Sequence, residues 1–193
     1  LFVSAPLWEV VAPALGDNPY LRHVVVIGDA PEGTIRYDTF VQDADVLPTM
    51  AVSPDEVAFW LYSSGSTGRP KGVAHVHSAL QATADTYGAG ILGITGDDVV
   101  LSAAKFFFAY GLGNAMTFPL SVGAKTILFT GRPTPQGMIE TITAHKPTIF
   151  CGVPTLYAAM VAEMDRTGVP DAPLRLSISA GEALPADVGE RWE

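Results

Sequence analysis

The chain has one cysteine, Cys151, and therefore no internal disulfide. The fold must be held by burial and hydrogen bonds rather than by covalent cross-links. Cys151 lies in the apolar stretch TIFCGVP, which reads as a small core hydrophobe in a reduced, cytoplasmic setting. Basic residues are also scarce, with 11 Lys and Arg against 20 Asp and Glu and a net charge of −9. That balance argues against a general nucleic-acid or anionic-membrane surface, since both need a basic face to neutralise phosphates. Long apolar runs are missing, so no segment has transmembrane length, and the N-terminus lacks the basic start of a signal peptide. Charge of either sign is low, 16% against 48% hydrophobic residues, a composition that suits parallel strands buried on both faces. The chain opens at Leu1 rather than at a methionine and stops in the polar stretch GERWE, which suggests a piece of something larger.

Within its 193 residues, short β-branched runs alternate with helical stretches. The strands are expected in LFVSA, RHVVVIGD, VAFWLYSSG, DDVVLSAA, KTILFT, TIFCGV and LRLSISA, with helices in PLWEVVAPAL, from about Ser78 to Leu92, near NAMTFPLSVG, in PQGMIETITAHK and in TLYAAMVAEMD. Such alternation predicts an α/β fold with a mostly parallel sheet flanked by helices, in which ligands gather beyond the carboxyl ends of the strands. Ser78 and Gln81 have the spacing of a capping box. Pro154 and Thr155 start a helix that Gly168 and Pro170 stop. The proline-containing, acidic stretch 28–55 reads as an internal linker or surface excursion.

The stretch YSSGSTGRPKGV combines what a phosphate group needs. Ser63, Ser64, Ser66 and Thr67 offer hydroxyls, Gly65, Gly68 and Gly72 allow close backbone approach, and Lys71 brings a mobile cation. Acidic residues are absent between Glu56 and Asp85, whereas Arg69, Lys71, His75 and His77 all lie there. The loop is not a Walker A motif, because Pro70 separates Arg69 from Lys71 and Gly72 stands where a magnesium-binding hydroxyl is required. A solvated surface turn has a similar composition. His75 and His77 lack a third ligand nearby, so a structural role for His77 is preferred to a metal pair.

In order and spacing this stretch resembles the signature phosphate loop of the adenylate-forming superfamily of acyl- and aryl-CoA synthetases, adenylation domains and luciferases. The resemblance implies that a carboxylate attacks the α-phosphate of ATP, giving an acyl-adenylate and pyrophosphate. Lys71, Ser66 and Thr67 would then hold the β- and γ-phosphates while Ser63, Ser64, Gly65 and Gly68 shape the loop. A preplaced lysine there would stabilise charge on the departing pyrophosphate, which makes Lys71 the catalytic candidate.

The stretch KFFFAYGLGN reads either as a buried strand ending in a turn or as an aromatic strand whose glycines leave a flat slot for a planar acid. It resembles the benzoate-CoA and 4-hydroxybenzoate-CoA ligase branch. That resemblance implies that Phe108, Ala109, Tyr110 and Gly111 contact an aromatic acid, with Tyr110 beside its carboxylate and the later thiol route. LSISAGEALP could be an ordinary strand-to-helix turn. By resemblance its Ser179 and Ala180 face the acid, and Gly181, Glu182 and Ala183 the nucleotide, Glu182 through its backbone. HKPTIFCGVPTLYAAM also matches the branch and is read as mainly structural.

Relatives continue into a glutamate that binds Mg²⁺, an aspartate that holds the ribose and a small C-terminal lid domain with a catalytic lysine. None of these is in this sequence, so the magnesium ligand is expected outside it. The expectation is therefore part of the large N-terminal domain of an aryl-CoA ligase using an aromatic carboxylate, ATP and CoA, with the 193 residues inactive alone. The alternatives are adenylation of another acid, such as an aminobenzoate, a cinnamate-type acid or a carrier-loading substrate, or a non-catalytic nucleotide-binding or structural fragment.

Overall fold

A computed structural model of the chain describes residues 1–16, 18–64 and 68–193. It divides into two compact units, Leu1–Ala51 and Val52–Glu193. The first unit holds three short parallel strands, β1 (Phe2–Ser4), β2 (Val25–Ile27) and β3 (Ile35–Arg36), in the order β1-β2-β3. Its helices are α1 (Trp8–Leu15) and α2 (Tyr37–Val41). Val3, Val25 and Val26 are buried, as the β-branched runs predict.

The second unit begins with β4 (Val57–Ser64) and β5 (Pro70–Val76), which pair as an antiparallel hairpin. Helix α3 (His77–Thr83) follows and continues as a π-helical stretch over Ala84–Ala89. Then come β6 (Val99–Ser102), α4 (Ala109–Leu112), α5 (Phe118–Val122), β7 (Lys125–Ile127), α6 (Pro135–His145), β8 (Ile149–Gly152), α7 (Pro154–Thr167), β9 (Leu176–Ser179) and α8 (Ala186–Trp192). Four of these strands form one parallel sheet in the order β7-β6-β8-β9. The architecture is thus the expected α/β arrangement of parallel strands between helices.

Successive side chains of a strand point to opposite faces, and the two cores follow that alternation. On one face Leu101 and Phe150 pack with Met138 and Ile142 of α6 and with Tyr157 and Met160 of α7. On the other, Val100, Ile149, Cys151 and Ile178 pack with Ala84, Ile94 and Phe118. All four residues of β8 are buried, which explains why its sequence is a continuous apolar run. Helix ends follow local chemistry. The Thr134 hydroxyl accepts from the Gly137 amide at 3.2 Å at the start of α6, and Pro154 opens α7 where its missing N–H has no intrahelical acceptor to lose.

The phosphate-type loop is followed by a second strand, which the sequence did not mark: Lys71, Val73 and His75 pair across to Ser63, Leu61 and Phe59. Two expectations are corrected. The Ser78–Gln81 capping box is not formed. Helix α3 starts at His77 after Val76 without a side-chain cap, and Gln81 Nε2 donates to Asp85 Oδ1 at 2.7 Å instead. The run Phe106–Phe108 is not a buried strand but a turn leading into α4, with all three rings exposed. No helix among the described residues is long and apolar enough to cross a membrane.

The amino ends of the sheet are tied by a buried carboxylate. Asp98, only 3% exposed, accepts from Arg175 Nε at 2.8 Å and Nη2 at 2.6 Å, from Thr148 Oγ1 at 2.7 Å and from the Thr95 amide at 2.8 Å. Of these partners Thr148 stands immediately before β8 and Arg175 immediately before β9, as Asp98 itself stands before β6. The Arg175 guanidinium, with help from Thr148 and Thr95 and against the opposing effect of burial, holds the Asp98 carboxyl well below the ordinary value of 3.8.

Because this folded-state value is depressed, the stability it contributes is complete above pH 3.8 and is lost as pH falls below it. Urea unfolding of an Asp98→Asn variant of the intact protein should therefore show a loss of about 2–4 kcal/mol at pH 7. The difference from wild type should narrow as the pH is lowered from 3.8. Burial also pushes the Cys151 thiol up to about 12. Iodoacetamide at pH 8 should leave Cys151 unlabelled in the native protein and label it stoichiometrically in denaturant.

Candidate active site

The hairpin presents its residues by strand alternation. Ser63 pairs with Lys71 and Ser64 with Pro70 at the end of the ladder. Lys71 and Ser63 thus stand side by side on one face, and Lys71 is exposed. Gly68 has φ +77°, a left-handed conformation that favours glycine at this return of the chain. Gly72 faces the aromatic side of the hairpin: a Cβ there would meet Trp60 at 3.2 Å and Tyr62 at 3.3 Å. At the foot, the His77 amide donates to the Glu56 carbonyl at 3.1 Å, and the His75 ring stacks on Phe59 with centroids 5.0 Å apart. Gly65, Ser66 and Thr67 lie outside the described residues.

A cavity of about 610 Å³ opens at the carboxyl ends of the parallel strands. Its walls are largely apolar. Ala103 and Ala104 follow β6, Val153 follows β8, Ala180 and Gly181 follow β9, and Phe108 and Tyr110 come from the turn and α4. Thr155, Leu156 and Ala159 of α7 and Arg132, Pro133 and Pro135 complete the lining. Such a volume suits one small molecule.

Tyr110 contributes its ring to the cavity while its hydroxyl donates to backbone, lying 2.9 Å from the Ile178 carbonyl and 3.1 Å from that of Gly152. Gly111 is buried, and a Cβ on it would collide with the Lys105 carbonyl and come within 2.6 Å of that of Ala104. Its glycine character lets α4 close down on the end of β6 rather than opening a slot.

The structure brings together Phe108, Tyr110, Ala180 and Gly181 around this cavity. Ala109 and Gly111 belong to the same short helix but do not line it. Ser179 lines a separate cavity of about 560 Å³, with Tyr157, Leu184 and Trp192. It shares that position with Ser177, two residues earlier along β9, because strand neighbours two apart point the same way. Glu182 and Ala183 are exposed in the turn after β9. Sequence reasoning missed Arg132, Thr155 and Leu156 as lining residues. By resemblance Pro154 and Thr155 begin a helix near the pocket in a mainly structural segment, and Arg132 carries a usable signal, since it follows β7 on the edge where α/β sheets bind ligands.

Residues 2–193 match the family described as AMP-binding enzyme. The chain is 51% identical over 193 residues to a benzoate–CoA ligase of Thauera aromatica, covering 99% of this chain and 36% of the relative. It is 45% identical to a 4-hydroxybenzoate–CoA/benzoate–CoA ligase of Rhodopseudomonas palustris, covering 100% of this chain and 36% of the relative. The crystal structure of an anthranilate CoA ligase in complex with anthranoyl-AMP superposes with TM-score 0.93 at 36% identity, over 100% of this chain and 38% of that one. A benzoate CoA ligase from Burkholderia xenovorans superposes with TM-score 0.83 at 42% identity, over 99% and 37%. The chain thus spans a little over a third of the length of these relatives. The match over residues 2–193 shows the family: the chain belongs to the AMP-binding enzymes.

Proposed function

We propose that this chain is the adenylating part of an ATP-dependent aryl-CoA ligase that activates benzoate or a hydroxybenzoate. The observation that carries the reading is the apolar cavity in which Phe108, Tyr110, Ala180 and Gly181 meet at the carboxyl ends of the strands. The 51% identity to a benzoate–CoA ligase supports the aromatic acid.

In the first step a carboxylate oxygen of the acid attacks the α-phosphorus of ATP. The bond from that phosphorus to the bridging oxygen breaks, and pyrophosphate leaves with its electron pair. In the second, the CoA thiol gives its proton to solvent, the thiolate sulfur attacks the acyl carbon of the aroyl-adenylate, the bond from that carbon to the phosphate oxygen breaks, and AMP departs with the electron pair as the thioester forms. The ring would lie against the Phe108 and Tyr110 side chains and the glycine backbone after β9, where apolar walls exclude water from the acyl carbon.

Lys71 would bind the β- and γ-phosphates. A cation fixed in the hairpin stabilises the charge that accumulates on pyrophosphate as the bond breaks, and so acts more on the transition state than on bound ATP. Ser63, Ser64, Gly65, Ser66, Thr67 and Gly68 would form the phosphate cradle, and Gly181, Glu182 and Ala183 the nucleotide edge next to the acid. Mg²⁺, when bound, would neutralise phosphate charge. Among the described residues no three His, Cys, Asp or Glu side chains gather into a cation site. We assign the protein to the cytoplasm, consistent with its single buried cysteine.

A second acid, aminobenzoate, is favoured by the likeness to the anthranilate ligase structure. An apolar cavity with few polar side chains would separate ring substituents by shape, and such discrimination is typically worth about 10–200-fold per small group.

Lys71→Ala should lower kcat/KM for benzoate-dependent pyrophosphate exchange by about 10²–10³-fold, as loss of one preorganised donor does, with unchanged circular dichroism. An unaltered rate would remove Lys71 from the mechanism. In the same assay on the intact protein, benzoate, hydroxybenzoates and aminobenzoates should support exchange above a cinnamate-type acid. A preference for long-chain acids would overturn the aryl reading.

A further inference from the structure

Two tyrosine hydroxyls meet at one backbone oxygen. Tyr110 reaches the Ile178 carbonyl at 2.9 Å from α4, and Tyr157 reaches it at 3.0 Å from α7. They come from opposite faces of the sheet: Tyr110 packs against the core that contains Cys151 and Ile178, and Tyr157 belongs to the core that contains Leu101 and Phe150. Each hydroxyl also touches the neighbouring strand, Tyr110 at the Gly152 carbonyl, 3.1 Å away, and Tyr157 at the Phe150 carbonyl, 3.3 Å away. Both therefore straddle the ladder between β8 and β9, and for each the shortest contact is the shared one. The next link of the ladder, the Ala180 amide to the Gly152 carbonyl, is stretched to 3.4 Å, so the end of β9 is held weakly by its own backbone bond.

We propose that Tyr157 is a positioning residue for the aryl cavity, paired with Tyr110 across the sheet so that the two hydroxyls fix the end of β9 and the backbone of Ala180 and Gly181. The proposal rests on the aryl-CoA ligase reading for its kinetic consequence, but not for its geometry. Burial raises the pKa of both phenols and keeps them protonated as donors throughout the working pH range. Tyr157 is itself held in place. It is 1% exposed, its ring meets Trp192 edge-on at 4.6 Å, and a Cβ on Gly152 would come within 2.9 Å of it. Glycine at the end of β8 is what allows the ring to lie there. Two phenol protons serve four oxygen contacts, so removing one hydroxyl leaves a single phenol on the shared carbonyl.

Tyr157→Phe, Tyr110→Phe and the double variant of the intact protein keep the rings and delete only the hydroxyls. Deuterium exchange should quicken in the peptide covering residues 176–183, and KM for benzoate should rise about fivefold in Tyr157→Phe, the equilibrium value of one net hydrogen bond. In that variant KM for ATP and kcat should stay within about twofold of wild type, a split that general destabilisation of the fold would not produce. The double variant should lose more benzoate affinity than the product of the single losses, because no hydroxyl then remains on Ile178. Unchanged exchange, or faster exchange with an unchanged KM for benzoate, would overturn the proposal, as would a parallel rise in both KM values. A wild-type protein that turns over no aromatic acid would overturn the functional reading instead. The exchange rates need no substrate and would still uphold or sink the tyrosine pin.

Discussion

All four strands of the β7-β6-β8-β9 sheet run in the same direction, and that constraint governs everything built on them. Parallel neighbours cannot be joined by tight turns. Each connection has to cross a face of the sheet, and most do so as a helix. The crossings bury both faces, which accounts for the two cores and for the apolar character of β8. They also gather every strand's carboxyl end on one edge. Ala103, Val153 and Ala180 line the cavity because each is the first residue after its strand.

The opposite edge is constructed differently. Asp98, Thr148 and Arg175 each directly precede a strand and are tied to one another through the Asp98 carboxylate. A strand of four residues is about 13 Å long, so the ionic tie and the cavity sit at the two ends of the same short rods. At the working end, close contact depends on residues with no side chain: Gly111 under the Lys105 carbonyl and Gly152 under the Tyr157 ring.

The strands and the helices after them were legible in the sequence because burial on two faces writes itself as β-branched runs, and because Pro154 and Gly168 mark boundaries by backbone chemistry alone. The second strand of the hairpin was not, since glycine and proline in PKGVAHV hide a pairing that only the partner strand reveals. The capping box failed for a related reason: the amide of Ser78 was already bonded to the Pro54 carbonyl at 3.0 Å, and Gln81 had Asp85 within reach. Phe106, Phe107 and Phe108 read as core because aromatic rings usually are, whereas here they lead into a helix over a ligand-sized space. Ser179 was read with its neighbours as one turn, yet the period of two along β9 sends it to the other side. Tyr157 left no local signal at all, because its role exists only where α7 and β9 meet.

The hairpin carries one further consequence. Lys71 and Ser63 are cross-strand partners, while Gly72, next to Lys71, lies beneath Trp60 and Tyr62 on the reverse face. The cation and the hydroxyl thus belong to one two-stranded arm with Trp60 and Tyr62 on its back. Any swing of that arm about its foot at Glu56 and His77 would carry both groups together, preserving their spacing while changing their reach. A ligand that grips them would feel a lever, and chain variation in the arm's length would shift where the charge arrives without altering what arrives.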